Sequence, residues 1–85
     1  MKKEYSETEI KIKTAAKSLF LEKGYSATTT RDISKESDIN LALLNYYFTS
    51  KKKLFEIIML ETFYDFISKM VEVYNDEKSS LEEKL

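Results

Sequence analysis

Residues 28–53 read TTTRDISKESDINLALLNYYFTSKKK, in which apolar, aromatic and cationic groups crowd together with no glycine or proline between them. Capping signals divide the stretch. Thr29, with Asp32 three residues later, opens a short helix that ends near Ser37 and has Ile33 as its one strong apolar anchor. "DIN" makes a tight turn, and Asn40 caps a second short helix ending near Tyr47 or Phe48. Leu44 and Phe48, four residues apart, form the inward pair of that helix.

The flanking sequence extends the pattern. "SETE" (Ser6, Glu9) is a capping box ahead of "IKIKTAAKSLFLEK", where Ile12, Ala16, Leu19 and Phe20 share one helical face. Gly24, the only glycine, follows Lys23 where a left-handed residue would close this helix, which predicts a first helix over about residues 7–23. Ser50 caps a fourth helix with no stop signal before "NDEKSS", so it runs for about 24 residues, on the order of 36 Å. Ser80 and Glu83 form a further capping box that predicts the start of a fifth. The fold class is therefore all-α.

Eighty-five residues make one small domain or a piece of a longer chain. Such a chain buries only about 60% of its unfolded surface, which keeps stability modest. At 42% hydrophobic and 34% charged residues it is apolar enough to fold. It has no cysteine and no histidine, so thiol nucleophiles, imidazole bases, disulfides and ordinary zinc sites are excluded, and no catalysis, cofactor or metal is expected. Asp76 and Glu77 lie in an expected loop with nothing to perturb them. The N-terminus lacks an apolar signal region and no apolar run approaches the roughly 18 residues of a membrane span, so a cytoplasmic location is expected.

The net charge of -1 conceals two halves. Residues 1–53 hold eleven Lys/Arg against seven Asp/Glu, net +4, whereas residues 54–85 hold three against eight, net -5. The fourth helix is apolar around most of its circumference, from Phe55 to Tyr74, and the earlier helices can cover only its first half. A further body or a partner chain is expected against the rest.

Two short helices joined by a tight turn and preceded by a longer one are the outline of a helix-turn-helix, an outline that protein-docking bundles share. Angular placement favours DNA. With Leu44 inward, steps of 100° put Ala42 and Tyr46 opposite the core, Leu43 and Asn45 on the flanks and Tyr47 at an edge. The small Ala42 permits close approach to a surface, and Asn45 offers both donor and acceptor to base edges. At the start of the preceding helix, Thr29, Thr30 and Arg31 surround unpaired backbone N–H groups suited to an anion. Lys51, Lys52 and Lys53 occupy a helix first turn, where the macrodipole disfavours each cation by roughly 0.3–1 kcal/mol, and this points to phosphate as their partner.

With "IKTAAKSLFLEKGYSATTTRDIS" and "INLALLNYYFTSKKKLF" in register, the chain resembles the N-terminal DNA-binding domain of the tetracycline-repressor (TetR) family of bacterial transcription regulators, from about Ile10 to Leu60. The resemblance implies a three-helix, homeodomain-like head in residues 1–50. Residues 51–85 would then be the linking helix and the start of a C-terminal body that continues beyond this chain. It also implies a ligand-responsive repressor that dimerises and binds a palindromic operator in double-stranded DNA, with a small-molecule effector in the C-terminal body. By position, Thr30 is similar to a phosphate contact and Arg31 to a residue that reaches a base. Leu41, Ala42 and Asn45 match base-facing positions, and Tyr46, Tyr47 and Lys51 match groove-edge and backbone contacts. Leu43 lies beside them. Four residues depart from the family pattern: Asp38 where glycine is usual in the turn, Asn45 where tyrosine is commoner, and Lys52 and Lys53 where an acidic residue often follows. The competing expectation is a helical protein-interaction module that docks through exposed tyrosines and Leu43.

Overall fold

The computed structural model describes the backbone of residues 4–84 and the side chains of residues 4–77. Its helices are α1 (Glu7–Lys23), α2 (Thr30–Ser37), α3 (Leu41–Tyr47) and α4 (Lys51–Lys84). Each start is fixed by the side chain that the sequence supplies for it. Ser6 and Glu9 close a reciprocal capping box on α1, and Thr29 and Asp32 close one on α2. Asn40 Oδ1 accepts the Leu43 N–H at 2.8 Å, and Ser50 Oγ accepts the Lys53 N–H at 3.1 Å.

The core is one cluster built on a few apolar side chains of each helix. Ile12, Ala15, Ala16 and Leu19 of α1 meet Ile33 of α2, Leu44 of α3, Phe48 just beyond it, and Leu54 and Ile58 of α4. Ile12, Ile33 and Leu54 are fully enclosed. Because Leu54 and Ile58 belong to this cluster, the first two turns of α4 are part of the head rather than a connector to it. Lys13 of α1 forms an ion pair with Glu61 of α4 while its ammonium lies 3.5 Å from the centre of the Tyr5 ring, extending the α1–α4 seam.

The three threonines before α2 divide three tasks. Thr28 is buried, and its hydroxyl donates to the carbonyls of Gly24 (2.8 Å) and Leu19 (3.3 Å), satisfying the end of α1. Thr29 caps α2, and Thr30 is its first residue. Sequence periodicity gave no sign of Thr28's role, since a loop residue has no period.

Several boundaries differ from expectation. Gly24 has the expected positive φ of 85°, but its ψ of 161° is extended rather than left-handed helical, and its N–H donates to the Phe20 carbonyl at 3.0 Å. A Cβ there would meet open space, so the dihedral and not crowding calls for glycine. Asp38 is left-handed (φ 59°, ψ 32°), as the turn requires. The larger correction is α4, which has 34 residues and stays helical through "NDEKSS" to Lys84 instead of stopping there and restarting as a fifth helix. Asn, Asp and Ser each disfavour helix by only a few tenths of a kcal/mol, and extending a formed helix is far easier than nucleating a new one. Without glycine or proline nothing there breaks the ladder. The side chains of Ser80 and Glu83, the expected fifth-helix cap, lie outside the described residues.

Past Ile58, α4 leaves the head and carries its apolar surface with it. Met59, Leu60, Phe63, Phe66, Met70, Val73 and Tyr74 are all exposed. Helices 1 to 3 cover only the first turns, as the all-round pattern predicted. Among the described residues, no helix is long and apolar enough to cross a membrane.

Candidate nucleic-acid interface

α3 owes its orientation to Leu44 and Phe48, which are 1% and 2% exposed and pin one face to the core. The opposite face is consequently open. Ala42, Asn45 and Tyr46 are exposed, Tyr46 to 78%. Leu41 and Leu43 are half-buried at the flanks, and Tyr47 packs partly on the core while its ring meets Tyr46 edge-on at 5.2 Å. The helix carries no charged side chain, so what it offers outward is a methyl group, a carboxamide and a phenol. These are groups that can lie in a groove and exchange hydrogen bonds with base edges without bringing a carboxylate to a polyanion.

Relative to α3, the turn is set by Asp38 and by Ser34, whose hydroxyl donates to the Ile39 carbonyl at 2.6 Å. Ile39 itself tucks against the core. Both contacts fix how α2 crosses α3.

At the start of α2, Arg31 is exposed and Thr30 half-buried, while Thr29 has its hydroxyl committed to the Asp32 N–H at 3.1 Å. Asp32 returns the contact by accepting the Thr29 N–H at 3.0 Å, and Lys23 donates to the same carboxylate at 3.1 Å. The Thr29 backbone N–H, then the Lys23 ammonium and the Thr29 hydroxyl, hold the Asp32 carboxyl down to about 2. A carboxylate depressed in the folded state lends stability above its ordinary pKa and loses it as acid protonates the native state. We expect α2 to lose this contribution as pH falls from about 4 towards 2. An acid titration followed by circular dichroism should show a transition in this window that Asp32→Asn lacks.

The lysine run divides in two. Lys52 and Lys53 are exposed. Lys51 is half-buried; its ammonium donates to the Tyr25 carbonyl at 2.9 Å and sits 4.1 Å from the centre of the Tyr25 ring. That ring packs on Phe55 at 4.7 Å and on Phe20 at 5.7 Å, and Phe20 meets Phe55 edge-on at 5.2 Å. The cluster was hidden in the sequence because Tyr25 lies in a loop and its partners come from two different helices.

Residues 12–58 match the family described as bacterial regulatory proteins, tetR family. The chain belongs to the TetR family. Its matched region coincides with the packed head, from Ile12 to Ile58, the first and last residues of the core cluster. The TetR head also resembles individual relatives. One is a probable HTH-type transcriptional regulator, YttP, of Bacillus subtilis (strain 168), 43% identical over 65 residues that cover 76% of this chain and 31% of the relative. Another is IcaR, the HTH-type negative transcriptional regulator of the biofilm operon icaADBC in Staphylococcus aureus (strain Newman), 39% identical over 70 residues, 82% of this chain and 37% of the relative. The chain thus spans about a third of the length of these curated relatives. The matched region takes in both α2 and α3.

Proposed function

We propose that this protein represses transcription by laying α3 in the major groove of a palindromic operator, as one half of a homodimer whose effector-binding body follows α4. The observation that carries the reading is the exposed, uncharged outer face of α3, held out by a fully packed inner face. Ala42 and Asn45, with Leu41 and Leu43 beside them, would meet base edges. Thr30 and the α2 N-terminus capped by Thr29 would meet phosphate, Arg31 would reach an outer base, and Tyr46 and Tyr47 would grip the groove edge. IcaR is a negative regulator by name, which supports repression here. The uncovered apolar surface of α4 beyond Ile58 supports a further helical body, and the helix past the head is its entry. The protein acts in the cytoplasm and performs no catalysis.

A binding-site selection tests the assignment of the base-reading residues. Arg31→Ala and Asn45→Ala should each relax preference at one symmetric pair of operator positions, with a penalty of about 1–3 kcal/mol against the wild-type site. An unchanged selected sequence in both variants removes them from the set. A protein-docking role through Tyr46 is separated by salt, because DNA affinity falls steeply with ionic strength and apolar docking does not.

A further inference from the structure

Among the three consecutive lysines, only Lys51 has its ammonium held inside the molecule. The Tyr25 carbonyl that it binds also accepts the Thr28 N–H at 3.2 Å, closing the turn that delivers the chain into the α2 cap at Thr29. Lys51 is the first residue of α4. One side chain therefore ties the segment before α2 to the segment after α3. α2 and α3 both lie between these two points in the chain, so the same contact brackets the pair. The cation over the Tyr25 ring, and the ring's packing on Phe55 of α4, reinforce the tie.

We infer that Lys51 is a positioning residue, which sets the spacing between the two backbone-gripping edges of the reader, and that Lys52 and Lys53 supply the phosphate contacts at the start of α4. This rests on the DNA-binding reading above. Lys52 and Lys53 are exposed with no ammonium partner among the described residues, on a helix end where the macrodipole repels them. A phosphate removes that unfavourable field and releases a counterion. The Lys51 ammonium already spends one of its three N–H donors on the Tyr25 carbonyl, and a phosphate that drew it away would loosen the turn that carries Thr29.

The test follows affinity of the full-length protein for a dye-labelled, mixed-sequence duplex across a salt series, beside measurements without DNA. Lys52→Gln and Lys53→Gln should each reduce the slope of log K against log salt by about 0.9 for each protomer bound and leave the melting temperature unchanged or slightly raised. Lys51→Met should weaken binding severalfold with the slope unchanged, lower the melting temperature, and shift the ring resonances of Phe20, Tyr25 and Phe55. Tyr25→Leu removes no charge and keeps the backbone carbonyl but loses the ring, so it should leave the slope unchanged, lower the melting temperature less than Lys51→Met does, and shift the Phe20 and Phe55 resonances. The proposal is overturned if Lys51→Met lowers the slope as the other two do while melting and ring resonances stay put. A wild-type protein that binds no duplex would refute the DNA reading and the phosphate assignment together, whereas the DNA-free measurements still decide the role of Lys51.

Discussion

Phe48→Ala should leave the protein largely unfolded at ambient temperature, with operator binding lost as a consequence. Phe48 is 2% exposed, at the corner where α3 hands over to α4, and it packs in the same cluster as Leu44, Leu54 and Ile58. Truncating a buried phenylalanine costs about 3–5 kcal/mol, the transfer of the ring plus the cavity left behind. Small domains sit near the lower end of the roughly 5–15 kcal/mol that stabilises folded proteins, so one such cavity removes most of the margin. Chemical denaturation monitored by circular dichroism measures the loss directly. Phe48→Leu keeps most of the volume and should lose far less. A Phe48→Ala protein with a wild-type denaturation midpoint would mean that the corner does not hold the head together.

Ala42→Glu should do the opposite, abolishing DNA binding while leaving the fold intact. Ala42 is exposed in the first turn of α3. Glutamate is a good helix former, and its charge is favoured near a helix N-terminus, so stability should change by no more than a few tenths of a kcal/mol. On the outward face, however, it replaces a methyl group with a longer carboxylate aimed at a polyanion. Like-charge contact at an interface costs several kcal/mol, which corresponds to a loss on the order of 100-fold or more in affinity. Thr14→Glu is the charge-matched control, since Thr14 is exposed beside the groove between α1 and α4, which α3 does not line. Retained operator binding by the Ala42→Glu protein would mean that α3 does not face DNA through this side. Equal losses in both variants would point to net charge alone.

The two substitutions lie six residues apart, yet one is expected to act on folding and the other on recognition. The difference is one of direction around a helix. That direction was legible before any coordinates, because Leu44 and Phe48 stand four residues apart as an inward pair, and steps of 100° then send Ala42 and Tyr46 outward. Leu43 is half-buried as a flank position should be, whereas Asn45, expected on the other flank, is exposed, and Tyr47 is half-buried at its edge. Helix starts were equally legible, since Ser6, Thr29, Asn40 and Ser50 each cap within their own four residues and need nothing distant.

Helix ends and side-chain tethers were not legible in this way. The end of α4 was misjudged at "NDEKSS" because weak local preferences are easily outweighed once a helix is propagating. Which of the three lysines is tethered was not legible in the sequence, where three in a row look equivalent. Only the packed head brings the Tyr25 carbonyl, 26 positions away, to within 2.9 Å of one of them.

The sequence by itself determined the all-α class, the four helix starts, the inward and outward faces of α3, and membership of the TetR family. These depend on interactions within a few residues, or on a pattern that fifty residues repeat in order. The tertiary structure decided what Thr28 satisfies, which lysine is held and which are exposed, and how far the head's core reaches into α4. Each of those is a contact between segments far apart in the chain, and no periodicity encodes which carbonyl a folded loop will turn towards an ammonium.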